Sequence, residues 1–284
     1  MKEGTLYLVA TPLGNLEDIS QRVARCLAEA DIVYAEDTRR SRILVEHLGL
    51  PRELRSLHEH NEHERSAEVV AHLRAGKTVA LVSDAGTPAV SDPGATLVRL
   101  TVEAGFTVSP VPGPSALTAA LSVSGFSAVS TDVAFFGFLP VKGKLRRLAL
   151  ERVGTSAGVV VLFEAPHRIE ATLRDLCQLE PARPACVCRE LTKVHEEIRY
   201  GSVEELLAWA AKTVRGELTL VLGPSAVETP TPDDAEVDAA LKRCLAAGLS
   251  ARDAAAAVAA VLQRSKREVY ARCQKLSTGI VHEY

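Results

Sequence analysis

Short apolar runs recur along this chain, and each stops at a loop of glycine, proline and charged residues that leads into a helical pattern. Leu6 to Ala10 runs into "TPLGN", and Ile32 to Ala35 runs into "EDTRR". A weaker run near Leu54 to Leu57 meets "HEHNEHE". Val79 to Val82 stops at "SDAGTPAVSDPG", and Phe106 to Val111 meets "PGPSALTAAL". Between these runs, Ile19, Val23, Cys26, Leu27 and Ala30 repeat at helical spacing, as do Ile43, Leu44, His47 and Leu48, then Val69, Val70 and Leu73. A strand, loop and helix alternation of this kind constrains the fold to an α/β layered domain with largely parallel strands. Local signals suggest boundaries. Asp18 with Gln21 reads as a capping box, and Asp92 before Pro93 reads as an N-cap with a first-turn proline.

The pattern continues more loosely from about residue 126. "DVAFFGFLP", "GVVVLFEAPHR", "ACVCREL" and "ELTLVLGP" are strand-like, "KGKLRRLALERV" is a basic helix, and a further helix surrounds Leu206 to Trp209. "VETPTPDD" is a linker by composition. The tail after it is helical and alanine-rich. Ser250 with Asp253 and Ser265 with Glu268 form two capping boxes, with five basic residues from Arg264 to Lys275. That pattern predicts a helix-turn-helix, with a packing appendage or dimer arm as the alternative. The expected organisation is an N-terminal α/β domain at 1–113, a second at 114–224, a linker at 225–235 and a helical domain at 236–284.

Bulk numbers exclude several classes. In 284 residues, 47% hydrophobic content supports a substantial core and 24% charge argues against general disorder. A net charge of −3 leaves only local basic patches for a nucleic acid, and 4% aromatics disfavour a base-stacking platform. Six scattered cysteines do not resemble a disulfide framework. Cys186 and Cys188 would share one face of a strand as a core pair rather than a metal site. The N-terminus lacks the apolar core of a signal peptide, and no apolar run approaches the roughly 20 residues that span a bilayer. A soluble, reduced, cytoplasmic protein with no membrane partner is the expectation.

Ligands of parallel α/β sheets bind outside the carboxyl ends of the strands, where these loops lie. "TPLGNL" is neither a Walker loop nor a dinucleotide fingerprint, and no nucleophile elbow is present. The ordered series "TPLGNLEDI", "AEDTR", "LHEHNE", "LVSDAGTPAVSDPG", "PVPGPSALTAAL", "GFLPVKGKLRR", "FEAPHR", "RELTKVHEE" and "GELTLVL" resembles the tetrapyrrole methylase superfamily. More narrowly, it resembles that superfamily's ribosomal RNA small subunit methyltransferase I branch. The resemblance covers about residues 4–224, and the tail is similar to that branch's C-terminal extension. It implies two α/β domains of the tetrapyrrole methylase type with S-adenosylmethionine in the cleft between them, plus a small helical domain. It also implies a homodimer that acts on the small ribosomal subunit. The reaction would be 2′-O-methylation of a cytidine ribose, cytidine 1402, in the decoding region of 16S rRNA. By position it carries cofactor contact onto Leu13, Asp84, Thr87, Ser115, Ala116, Phe163 and Leu218.

A ribose hydroxyl is a very weak acid and needs a proton acceptor as the new bond forms. Glu36, Asp37, His58, Glu59 and Glu164 all lie in or beside strand-end loops, and Glu36 and His58 lead because each closely follows an apolar run. The histidines of "HEHNEHE" also raise a metal reading, against that of a polar loop; the chemistry needs no metal, and none is expected. For RNA, the basic groups are Arg39, Arg40, Arg42, Lys142, Lys144, Arg146 and Arg147, then the tail set with Lys266 and Arg267. Such contacts would position the substrate through its phosphates. Two other functions stay open on the residues alone: C-methylation of a tetrapyrrole precursor in the same cleft, and a nucleic-acid-binding regulator built on the tail.

Overall fold

A computed structural model describes residues 4–50, 52–226, 233–262 and 264–279, which fall into two compact units divided after Ser225. The first unit contains two five-stranded sheets. Strands β1 (Thr5–Val9), β2 (Ile32–Ala35), β3 (Leu54–Ser56), β4 (Thr78–Val82) and β5 (Thr107–Val111) form the first, in the order β3-β2-β4-β1-β5. Every pairing in it is parallel. Helices α1 (Gln21–Glu29), α2 (Thr38–His47), α3 (Glu62–Arg74) and α4 (Ala95–Glu103) connect these strands. Central strands of such a sheet are covered on both faces, and β4 is accordingly a continuous apolar run with Val79, Ala80, Leu81 and Val82 all buried. One face packs Val9, Val23, Leu27 and Val33; the other packs Leu6, Tyr34, Val69, Leu73 and Leu97. Each such large side chain contributes roughly 1.5–3 kcal/mol on burial.

Helix α5 (Ala116–Ser124) leads to the second sheet. Its strands are β6 (Val133–Phe138), β7 (Val159–Glu164), β8 (Pro184–Arg189), β9 (Glu197–Ser202) and β10 (Leu218–Leu222), in the order β6-β7-β10-β8-β9. Here β6 and β7 are parallel, and the other pairings are antiparallel. Helices α6 (Gly143–Thr155), α7 (Ile169–Leu179) and α8 (Val203–Ala210) pack on it through Val153, Ile169, Leu173 and Leu206. Sequence reading missed β9. Its "EIRYGS" has no alternating apolar face, because it is a partly exposed edge strand held only by β8. Cys186 and Cys188 do share one face of β8, both buried, with their Sγ atoms 3.8 Å apart.

Two expected helix starts shift. The cap of α1 is Ser20, whose hydroxyl accepts from the Val23 N–H at 3.1 Å, while Asp18 ends a short 3-10 turn. Helix α4 starts at Ala95 with Gly94 at the N-cap, so Asp92 is not a cap at all.

The second unit contains helices α9 (Asp234–Ala246), α10 (Ala251–Val261) and α11 (Lys266–Gly279). Val237, Leu241, Ala254, Val258, Val269 and Cys273 form its core. Ser250 caps α10 by accepting from the Asp253 N–H. Part of the basic face of α11 is neutralised inside this unit, since Arg272 pairs with both Asp234 and Asp238. Lys266 and Arg267 stay exposed. Among the described residues no helix is long and apolar enough to cross a membrane.

Candidate active site

The carboxyl ends of β1 and β4, neighbours at the centre of the first sheet, are tied together by their loops. Thr11 and Gly86 exchange two backbone hydrogen bonds, at 2.8 and 3.0 Å, and the Thr11 hydroxyl donates to the Ser83 carbonyl. Gly86 has φ +83, and a Cβ there would stand 3.2 Å from the Leu13 side chain, so the turn favours glycine and permits the close approach. The Thr87 hydroxyl donates to the Pro114 carbonyl and joins a third loop, the one after β5.

These loops and the ends of β7 and β10 enclose a cavity of about 370 Å³. Leu13, Asp84, Thr87, Ser115 and Ala116 line it from the first three loops, and Phe163 and Leu218 line it from the second sheet. All seven residues expected at a cofactor are thus brought together. Phe138 adds a further ring, edge-on to Phe163 at 5.7 Å between centroids.

Acidic groups crowd one side. Asp84 accepts from the Asp37 N–H at 2.9 Å, and Arg40 stands 3.4 Å from its other oxygen. Burial still raises its pKa. Glu36, at the end of β2, also lines the cavity, and burial together with the Asp84 charge raises its pKa as well. The largest effect is at Asp92, where burial and the charges of Glu36 and Asp84 push the pKa to about 7. Sequence reading missed Asp92 because Asp-Pro-Gly resembles a helix start. The available signal was its place in a strand-end loop that runs on well past the first acidic residue.

The other proton-acceptor candidates lie off the cavity or are already paired. His58 lies outside the cavity lining, because β3 is the edge strand and its loop is two strands away from β4. The Asn61 side chain holds it, accepting from the His58 N–H at 2.8 Å and lying 3.2 Å from Nε2. Asp37 caps α2 and is gripped by Arg39, which lowers its pKa to about 2. Glu59 is exposed and lines no part of the cavity. Glu164 does line the cavity but is buried and accepts from the Thr172 hydroxyl at 2.6 Å, with Arg168 at 3.2 Å. Among the described residues no cluster of three or more His, Cys, Asp or Glu side chains is arranged to hold a metal ion.

Of the basic groups, Arg39, Lys142 and Arg147 are exposed. Arg146 is not available to a phosphate. Its guanidinium turns inward to Asp175 at 2.7 Å, the Pro140 carbonyl at 3.0 Å and the Thr172 hydroxyl at 3.1 Å. With Arg168 donating to the Leu139 carbonyl, it fixes the loop that presents Phe138 and Lys142.

The donor set suits S-adenosylmethionine. Clustered carboxylates face a positive charge, apolar rings offer a surface for a flat base, and the turn at Gly86 exposes backbone. An anionic dinucleotide would meet Asp84, Glu36 and Asp92 as repulsive groups.

Residues 5–207 match the Tetrapyrrole (Corrin/Porphyrin) Methylases family, and residues 231–277 match the RsmI C-terminal HTH domain. Among solved structures, uroporphyrin-III C-methyltransferase from Thermus thermophilus, complexed with S-adenosyl homocysteine, superposes with a TM-score of 0.58 at 23% identity. That match covers 78% of this chain and 97% of that one. Diphthine synthase superposes with a TM-score of 0.61 at 16% identity, over 78% and 90%. Fold and site together define a methyltransferase of the tetrapyrrole methylase class. The Ribosomal RNA small subunit methyltransferase I of Mycobacterium tuberculosis is 45% identical over 263 residues, 92% of this chain and 90% of that protein. Its Escherichia coli O157:H7 counterpart is 41% identical over 273 residues, 94% of each. The chain belongs to the ribosomal RNA small subunit methyltransferase I family. In class it is an S-adenosylmethionine-dependent rRNA methyltransferase.

Proposed function

We propose that this enzyme methylates the ribose 2′-hydroxyl of a cytidine in the decoding region of 16S rRNA, cytidine 1402, with Asp92 as the proton acceptor. The single observation that supports this role for Asp92 is its half-buried carboxyl in the cavity wall with a pKa of about 7. S-adenosylmethionine, when bound, supplies a methyl group activated on a sulfonium centre. The chain's own residues supply position and charge. Leu13, Thr87, Ser115, Ala116, Phe163 and Leu218 form its walls, and Asp84 and Glu36 place negative charge beside a cationic donor. Phe138 and Phe163 present apolar rings to the cavity. Asp92, whose ionised form a neighbouring cation favours, would take the proton the hydroxyl loses as its oxygen gains the methyl group, the sulfonium's S–CH3 bond breaking to leave a neutral thioether. General-base help of this kind is worth about 10²–10⁴-fold. Lys142, exposed just before α6, holds an RNA phosphate, Arg39 in the first turn of α2 adds positive charge although its guanidinium is shared with Asp37, and Lys266 and Arg267 contact phosphates from the helical unit.

Homologue names direct the reading to ribosomal RNA rather than to a tetrapyrrole. Mass spectrometry of rRNA from cells lacking the protein tests it. The expected result is loss of one ribose methyl at that cytidine, restored by the wild-type chain and not by Asp92→Asn. An unchanged nucleotide, or methyl transfer from the purified enzyme to a porphyrinogen instead, contradicts it.

A further inference from the structure

The "HEHNEHE" motif gives the cavity neither a histidine base nor a metal, yet one of its side chains reaches the acidic loop. Helix α4 begins without a cap of its own, because Gly94 at the N-cap position has no side chain. The first amides of a helix need acceptors. Glu62, the first residue of α3, supplies one: its Oε1 accepts from the Gly94 N–H at 2.9 Å and the Thr96 N–H at 2.8 Å, with Leu97 N–H at 3.4 Å.

Gly94 closes the loop that follows β4 and carries Asp92. That loop is strained, with Ala89 at φ 65 and Ser91 at φ 64, conformations that residues other than glycine rarely adopt. It therefore needs anchors. Near its start, the Thr87 hydroxyl bonds to the Pro114 carbonyl. In its middle, Ser91 packs on Gly137 of β6, where an added Cβ would stand 2.6 Å from the Ser91 Oγ. At its end, two residues beyond Asp92, the anchor is the Glu62 carboxylate. A negative charge at a helix N-terminus also complements the helix dipole.

We propose that Glu62 is a positioning residue for methyl transfer, clamping the end of the loop that follows β4 so that the Asp92 carboxyl is aimed into the cavity. The inference rests on the reading of Asp92 as proton acceptor. The clamp needs a carbonyl-type oxygen at the reach of a glutamate, not a charge. The Glu62→Gln substitution keeps such an oxygen; an aspartate is too short to reach the amides, and an alanine removes the acceptor.

The test is methyl transfer to purified small ribosomal subunits over a pH series, with melting temperature recorded in parallel. The chains compared are wild type, Glu62→Gln, Glu62→Asp, Glu62→Ala, Asp92→Asn and the double variant Glu62→Ala with Asp92→Asn. Glu62→Asp and Glu62→Ala are expected to lower kcat about tenfold or more and to displace the pH midpoint, with Glu62→Gln close to wild type. In the Asp92→Asn background, Glu62→Ala should remove little more, since both act on one function. A wild-type kcat and midpoint in Glu62→Asp, with only the melting temperature lowered, overturns the positioning role. So does a full additive loss in the double variant. An Asp92→Asn chain as active as wild type overturns the base assignment first and this inference with it, so the two failures are distinguishable. Should Glu62→Ala fail to fold, the contrast of Glu62→Asp with Glu62→Gln decides.

Discussion

The two sheets meet at one cavity and bring opposite chemistry to it. The first, all parallel, contributes Glu36, Asp84 and Asp92 from the ends of β2 and β4 and the loop beyond. These acids have raised pKa values, and among the described residues neither Glu36 nor Asp92 lies in an ion pair. The second, mostly antiparallel, contributes the rings of Phe138 and Phe163 and the Leu218 side chain. Its own lining carboxylates are already paired, Glu164 with Arg168 and Glu217 with Lys193. A carboxylate near a cavity is thus not enough to mark function. What separates Glu36 and Asp92 from Glu164 and Glu217 is whether a fixed cation already holds the charge, and Asp84, with Arg40 3.4 Å away, stands between the two groups. The first sheet supplies titratable groups, and the second supplies an aromatic and apolar wall.

Removing the reactive group should have the largest effect. Asp92→Asn is expected to cut kcat by about 10²-fold or more. In the wild type, the rate should rise with pH as the carboxyl ionises, because only the ionised carboxyl accepts a proton, with a midpoint of about 7 for the free enzyme and lower once a cationic donor is bound, and in the variant this limb should vanish. A rate profile flat from pH 5 to 9 in the wild type would remove Asp92 from the chemistry. Next in size, Phe163→Ala should weaken S-adenosylmethionine binding about tenfold by calorimetric titration, the scale of about 1.4 kcal/mol of lost apolar contact. If affinity is unchanged, the apolar wall contributes nothing and the contrast between the sheets fails. Lys142→Glu with Lys144→Glu should weaken binding to small ribosomal subunits several-fold, with a shallower salt dependence, while donor affinity stays the same. Equal loss of both affinities would contradict a phosphate-contact role.

The smallest effect is on stability. The folded pKa of Asp92 lies above its ordinary value, so its carboxyl is more readily protonated in the folded chain than in the unfolded one. It therefore weakens the fold progressively from about pH 4 to about pH 7, and the loss is complete above that. Asp92→Asn should then stabilise the fold more at pH 8 than at pH 5, by on the order of 1–2 kcal/mol after solvent screening, seen as a larger rise in melting temperature. A gain independent of pH would mean that the native carboxyl is not the titrating group.

Much of the fold is legible because its strands are apolar runs with abrupt ends. Val79 to Val82 could not lie on a surface, and the loop after it had to be at a strand's carboxyl end. Edge strand β9 escapes this logic, since "EIRYGS" buries little. At the site, the loops could be read from their glycines and prolines, but the direction of each side chain could not. Asp92 faces the cavity instead of capping α4 because Glu62 performs that capping from another helix, a contact across 32 residues. Arg146 belongs to a basic-looking helix, yet Asp175, 29 residues away, turns it inward. His58 follows a strand as Glu36 does, and only strand order separates them: β2 adjoins β4, while β3 lies at the edge.

A crystal structure of the chain with S-adenosylmethionine bound tests the central claim most directly. The donor should lie between Asp84 of the first sheet and Phe163 of the second, with its methyl directed toward the Asp92 carboxyl. A donor seated elsewhere, or one whose methyl is remote from Asp92, would contradict the account.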